Sequence, residues 1–322
     1  MTSSMRRMRG LMQLAALGAG LMLSNAAAAA TCPAGFPNRP VSFVVGFGAG
    51  GGTDVIGRTV AAAIEQQQKW NVVVENKPGA NGGVMNVWLK TRPNNGYTIG
   101  VTGTDSLTVN PARESVGYTW EEFDYLGSGM QTWLGMVALV DRPFNDIAGL
   151  VAHAKQTGRA TISVAGASQE LLIKQLATQY GVNLVAVPGA GAGEAMQTAL
   201  GGHVDATTQG TLHIAQIKAG KMKQLASLIG RRVPYAPDSK TLAEQGVTAD
   251  PLESHTIFFV PKGVDPAIKA CLKCAIDEAV KSEGFAELMK KWDNEALNLG
   301  EDGLNRMLAD NAKLYRDALG AK

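Results

Sequence analysis

The chain has 322 residues, 45% of them apolar and 18% charged, with 38 glycines and a formal net charge of +2. This apolar content excludes a disordered chain and allows either one large domain or two smaller ones. With 30 basic and 28 acidic side chains, the positive excess is too small for a protein that grips nucleic acid electrostatically.

Arg6, Arg7 and Arg9 precede an apolar run from Leu11 to Leu23, and Ser24-Asn25 leads into the small residues Ala26 to Ala30. A basic start, an apolar stretch and a small-residue end predict a secretory signal peptide over residues 1–30. The apolar run is too short to persist as a transmembrane helix. Its removal takes three of the 30 basic residues and no acids, leaving 27 basic against 28 acidic side chains. Cys32 follows the expected cut, but Ala29 and Thr31 fit a lipoprotein signal poorly, so a soluble exported protein is expected. Cys271 and Cys274 form a C-x-x-C in a helical stretch that starts earlier, near Asp265-Pro266. A redox pair needs the helix N-terminus to stabilise its thiolate, so these two read as a structural disulfide or as two unreactive thiols.

Val41 to Val45 is predicted as a buried strand that enters a glycine-rich loop, Gly46 to Asp54, and then a helix from Val55 to about Glu65. A second strand runs from Asn71 to Val74, a helix from Gly83 to Lys90, and a third strand from Tyr97 to Val101. The pattern restarts with a strand from Ala160 to Val164 and a helix from Gln169 to Tyr180. A strand from Leu184 to Val187, a glycine loop and a helix through Leu200 follow. Short strands are expected at Val204 to Thr207, Gln224 to Leu228 and Thr256 to Val260, with helix from Pro266 onward. Alternation of this kind implies parallel strands joined by helical crossovers. The expected fold class is α/β, with two lobes and a cleft between them.

Gly46, Gly48 and Gly51 match the dinucleotide pattern G-x-G-x-x-G after a strand, with Glu75 ending the next strand. An oxidoreductase that binds a dinucleotide there is the alternative reading; an export signal argues against it. The same geometry suits a smaller anion, because helix N-termini offer unpaired N–H groups and the positive end of the dipole. Gly50 to Asp54 in one half and Ser168 to Glu170 in the other could grip a carboxylate from two sides.

Several blocks carry a more specific resemblance. Val44 to Asp54 with Arg58, Val72 to Gly83, Asn95-Gly96-Tyr97-Thr98, and Val187-Pro188 followed by Gly201-Gly202-His203-Val204-Asp205 resemble the signatures of the Bug family. These are periplasmic solute-binding receptors of tripartite tricarboxylate transporters. The resemblance implies a type II periplasmic-binding-protein fold, with lobe I over residues 33–133 and 255–322 and lobe II over 134–254. It implies a periplasmic monomer without cofactor or metal, which delivers a small carboxylate to the membrane subunits of such a transporter. Backbone amides rather than an arginine would hold the ligand, and the lobes would close about crossovers near residues 130–136 and 250–256. Transferred by position, the ligand-binding residues are Phe47, Gly50, Gly51, Gly52, Thr53, Asp54, Thr102, Thr104, Asp105, Ser106, Gly166, Ala167, Ser168, Gln169, Gly189, Ala190, Asp205 and His255. Asp54 is also a candidate helix N-cap, Arg58 a structural partner for an acid, and Asp205 a residue that holds a loop.

The chain departs from the family pattern at Gly46, Gly48 and Gly189, where bulkier residues are usual. That loss of volume predicts a roomier cleft and a larger ligand, such as an aromatic mono- or dicarboxylate, terephthalate for example. His255 stands where an aromatic is usual; protonated, it could pair with a second carboxylate. The four histidines show no metal-ligand spacing. Ser168 lacks the G-x-S-x-G elbow of a hydrolase, so no enzymatic chemistry is expected.

Overall fold

The computed structural model describes residues 32–189 and 191–319; the expected signal peptide lies outside them. The first part of the chain forms β1 (Val41–Val45), α1 (Gly52–Gln68), β2 (Val72–Asn76), α2 (Gly83–Lys90), β3 (Thr98–Gly103), α3 (Asp105–Arg113) and β4 (Phe123–Gln131). There follow β5 (Gly135–Leu139), α4 (Ile147–Thr157), β6 (Ala160–Val164), α5 (Ala167–Tyr180) and β7 (Leu184–Pro188). Next come α6 (Ala192–Leu200), β8 (Ala206–Gln209), α7 (His213–Lys218) and β9 (Met222–Ser227). The chain ends with β10 (His255–Pro261), α8 (Pro266–Val280), α9 (Glu283–Lys291) and α10 (Gly300–Leu319).

These strands make two five-stranded sheets with the same plan. One has the order β2-β1-β3-β10-β4 and the other β7-β6-β8-β5-β9. In the first, β1 pairs parallel with β2 and β3, while β10 runs antiparallel to β3 and β4. In the second, β6 pairs parallel with β7 and β8, and β5 runs antiparallel to β8 and β9. The chain leaves the first sheet through residues 132–134 and returns through the segment before β10. At the crossing the Thr132 N–H donates to the Ser254 carbonyl at 2.7 Å. The loops at the C-terminal ends of the parallel strands are where such sheets bind ligands.

Helix α1 shows why the alternation folds this way. Ile56, Val60 and Ile64 recur every four residues and are buried against the first sheet, the stripe expected of a helix covering a sheet. The helix stops at Lys69, which takes the left-handed conformation with φ 58°. Helix α4 has equally clear ends: the Asp146 carboxylate accepts the Gly149 N–H at 2.7 Å, and Gly158 closes the helix at φ 85°.

The cysteines correct the sequence reading. Cys271 on α8 is bonded to Cys32, 239 residues away, and not to Cys274. The Cys274 thiol donates instead to the Glu278 carboxylate at 3.6 Å. The bridge fastens the start of the described chain to the helical layer behind the first sheet.

Gly100, in the middle of β3, is required for close packing. A β-carbon there would lie 2.5 Å from Leu89 Cδ2 and 2.8 Å from the Phe259 ring. Both neighbours are fully buried, so neither can give way. Gly100→Ala is expected to destabilise the protein by about 1–3 kcal/mol, the usual effect of overpacking a filled core, measured by urea unfolding.

Candidate functional site

Between the two sheets lies a cleft of about 390 Å³, lined from both sides by loops that follow strands. The first sheet contributes Phe47 to Thr53, Asn81, Gly103 and Asp105, and the second contributes Ala165, Gly166, Gln169, Gly191 to Glu194 and Gly210 to Leu212. Met130, Thr132, Leu134, Ser254 and Thr256 come from the crossing segments and the strand ends beside them.

Three helices begin at this cleft with no side chain capping them: α1 after Gly51, α5 after Gly166 and α6 after Gly191. The first N–H groups of a helix have no partner within it, and there the helix dipole is positive. An anion in the cleft would meet donors from both lobes.

Asp54 shows how the α1 end is held open. The N-cap is Gly51, so Asp54 is the third helical residue and not the cap that the sequence suggested. Its carboxylate turns back to accept the Gly50 N–H at 2.9 Å, the Asn76 amide at 2.8 Å and the Arg58 guanidinium at 3.0 Å. Burial pushes this carboxyl up, but the Arg58, Gly50 and Asn76 hydrogen bonds outweigh it and hold the group below the ordinary value. The Gly50 N–H is thereby consumed within the loop, and Gly52 and Thr53, the first two residues of the helix, line the cleft. Arg58 pairs with Asp54, as its placement one turn on suggests.

The other expected residues divide by location. Phe47, Gly50, Gly51, Gly52, Thr53, Asp105, Gly166 and Gln169 line the cleft. Ala167 and Gly189 border an adjoining groove of about 540 Å³, which shares Phe47, Asn81 and Gly166 with the cleft. Ala190 lies outside the described residues.

Thr102, Thr104 and Ser106 are fully buried behind the cleft wall. The Thr102 and Ser106 hydroxyls bond each other at 2.9 Å, and the Thr104 hydroxyl accepts the His255 N–H at 3.1 Å. These groups shape the β3–α3 turn. Asp205 also works inside its lobe, accepting the Thr161 N–H at 2.8 Å and facing Arg142 at 3.3 Å. Burial raises its carboxyl, yet the Thr161 hydrogen bonds and Arg142 keep it below the ordinary value.

His255 is buried, and burial pushes its imidazole down to about 4. It does not line the cleft, so a pairing of protonated His255 with a ligand carboxylate is not what this geometry provides. The expected loss of volume is also smaller than the three glycines suggest. A β-carbon at Gly46 would meet Gly82, Met85 and Thr102 at 3.2–3.3 Å, and one at Gly189 would meet Ala195 and Glu194 at 3.4–3.5 Å. Neighbours crowd the Gly46 position, whereas a β-carbon at Gly189 would make ordinary van der Waals contacts. Of these three positions, Gly48 is the one where a β-carbon would find nothing within 4 Å.

Asp105 and Glu194 are the two carboxylates that line the cleft, and Asp105 is the one held between the lobes. It opens α3, and both Ser168 from α5 and Ser254 donate to it. Burial pushes it up to about 6, against the pull of those hydroxyls. Asn81, Met130, Thr132, Thr211 and Ser254 also line the cleft, and sequence reasoning missed them. Gly210-Thr211 after β8 repeats the small-residue strand end seen at Gly46 and Gly166, a signal that could have found it. Among the described residues no group of three His, Cys, Asp or Glu side chains could hold a metal, and no helix is long and apolar enough to cross a membrane.

Two sheets of one plan, a cleft between them and helix N-termini converging from both sides define a two-lobed α/β binding protein. The chain matches the model for the tripartite tricarboxylate transporter family receptor over residues 56–319 and belongs to that family. A UPF0065 protein of Cupriavidus necator is 28% identical over 284 residues, 86% of either chain. The structure of the periplasmic binding protein BugD superposes with a TM-score of 0.81 at 28% identity, covering 88% of this chain and 98% of that one. MatC of Rhodopseudomonas palustris with bound malate gives 0.81 at 21% identity, covering 88% and 100%, which supports the fold.

Proposed function

We propose that the protein captures a small carboxylate in this cleft and presents it, closed, to the membrane subunits of a tripartite tricarboxylate transporter. The observation that carries the reading is the meeting of three uncapped helix N-termini, from both lobes, around one cavity. Donors on the backbone need no side-chain ordering, and the crossings at residues 132–134 and beside Ser254 are the hinges about which the lobes rotate. The cavity volume falls in the range of small-ligand sites, and an aromatic mono- or dicarboxylate such as terephthalate belongs among the candidates on the strength of Gly48. Malate in the structurally similar MatC supports an acid ligand. The protein works as a monomer in the periplasm, where the Cys32–Cys271 bridge would persist.

Thermal melting against malate, adipate, benzoate, terephthalate and NAD tests the reading. A ligand in hundredfold excess over its dissociation constant stabilises the native state by about 2.7 kcal/mol. Stabilisation by at least one acid supports the proposal, and stabilisation by NAD alone would favour a dinucleotide site at Gly46, Gly48 and Gly51. Gly48→Leu should lower affinity for the stabilising acid at least tenfold in calorimetric titration, with an unchanged melting temperature, because the new side chain projects into the cleft and not into packed neighbours.

A further inference from the structure

The cleft that receives an acid has the wrong charge for a simple diacid. Its described lining contains two carboxylates, Asp105 and Glu194, and neither lysine nor arginine. The Arg113 guanidinium stands in the adjoining groove, where Glu170 holds it at 3.0 Å. Asp105 cannot be set aside as a surface charge, because it is pinned at the start of α3 by hydroxyls from two different segments, Ser168 on α5 and Ser254 beside the crossing. Its partners are those hydroxyls and its own backbone N–H, so this partly buried carboxylate has no counter-charge among the groups that hold it.

Resting on the receptor reading above, we infer that the ligand carries a cationic nitrogen as well as a carboxylate, with the acid at the uncapped helix N-termini and the nitrogen against Asp105. The two ends of the ligand would then meet opposite charges. A second carboxylate placed at the Asp105 end would meet like charge in a site shielded from water, a strongly unfavourable arrangement. Because Asp105 belongs to the first lobe and its partner Ser168 to the second, the nitrogen would sit where the lobes already touch. That placement makes Asp105 a specificity-determining residue for the cargo.

The titratable surroundings of Asp105 reinforce this sign. Tyr315 on α10, whose phenol burial pushes up, stays neutral and feels Asp105, Glu253 and Asp250 together. Glu194 lines the opposite wall of the same cleft. Glu170 is shared by Arg113 and Lys174, each at 3.0 Å, a cluster with one net positive charge that lies outside the cleft lining, and His255 is uncharged at neutral pH.

Calorimetric titration with matched probes tests the inference: 6-aminohexanoate against adipate, and 4-(aminomethyl)benzoate against terephthalate. At least one amino acid of these pairs should bind tenfold or more tightly than its dicarboxylate partner, and Asp105→Asn should shrink the difference to within threefold. A second measurement needs no substitution. Between pH 7.5 and pH 5 the affinity for the amino-carboxylate should fall by about tenfold as Asp105, with its value near 6, takes up a proton; for a dicarboxylate it would rise. Tighter binding of the dicarboxylates, or affinity for the amino-carboxylates that is indifferent to both pH and Asp105→Asn, would overturn the inference and leave the receptor reading standing. Failure of every acid in both sets and in the earlier panel would overturn the receptor reading, and this inference with it.

Discussion

Replacing Cys32 and Cys271 together by alanine is expected to lower the unfolding free energy by about 3–5 kcal/mol, the range for a native bridge that closes a long loop. The two cysteines are 239 residues apart, so the cross-link removes much of the freedom of the unfolded chain. It also fastens the segment before β1 to α8, whose inner face (Leu272, Ala275 and Ile276) packs in the core of the first sheet. Urea unfolding of the double variant measures the loss. Cys274→Ala, outside the bridge, serves as the control and should change stability by about 1 kcal/mol or less. A double variant as stable as the parent would show that the bridge constrains nothing the fold does not already fix.

Acidification from pH 7.5 to pH 5 is expected to remove about 4 kcal/mol of stabilisation through two histidines. His213 and His255 are buried, and burial depresses both imidazoles to about 4 from an ordinary 6.5. His213 is further held between the Gly210 carbonyl and the Tyr235 hydroxyl, the latter at 2.7 Å. The sign follows from proton binding. The unfolded chain protonates its histidines as the pH falls through 6.5, while the native state resists until about 4. The native advantage is therefore whole above pH 6.5 and is lost progressively between 6.5 and 4, by about 2 kcal/mol per histidine at pH 5. Asp105 works in the opposite direction, because its raised value penalises the ionised native state at neutral pH, and protonation near 6 relieves that penalty. The measured decline is therefore smaller than the histidine contribution alone. Comparing His255→Leu with the parent isolates the effect: the fall in stability between pH 7.5 and 5 should shrink by about 2 kcal/mol in the variant. Parallel curves would mean that His255 titrates normally in the folded protein.

The parts of the fold that alternate cleanly were legible in the sequence. Val41–Val45, Gly83–Lys90 and Ala160–Val164 sit at their predicted places, because each is a short apolar or periodic run bounded by glycine or proline. The stretch between β3 and β6 was not legible. Strand β4 contains Gly127, Ser128 and Gly129, yet all three are buried. A side chain at Gly127 would strike Asn298, 2.6 Å away, so a glycine that reads as a strand breaker is demanded by a residue far along the chain. Helix α3 carries Pro111 near its end, and buried polar side chains from Ser106 to Asn110 blur its apolar stripe. Ser106 bonds the Thr102 hydroxyl and the Gly103 carbonyl, and Thr108 donates to the Thr104 carbonyl, a pattern that local sequence does not reveal.

The site shows the same division. Glycine-rich strand ends that open helices were visible as candidate anion donors from spacing alone. What depends on long-range burial was not visible: which donors the loop consumes, as Asp54 consumes the Gly50 N–H, and which groups face inward, as Thr102, Thr104 and His255 do. Nor does any local pattern place Ser168 beside Asp105, 63 residues away. The cysteine pairing belongs in this class too, since spacing draws attention to Cys271 and Cys274 whereas the three-dimensional arrangement brings Cys32 to Cys271.

On the proposed function, backbone N–H groups at the starts of α1, α5 and α6 receive the carboxylate. Amide NMR of the labelled protein, titrated with whichever acid stabilises it most, tests this directly. Saturation should shift the resonances of Gly52 and Thr53 in one lobe together with Ala167, Ala192 and Gly193 in the other, and slow their exchange with solvent. Shifts confined to one lobe, or to the groove around Asn110 and Arg113, with the starts of these helices unmoved, would contradict it.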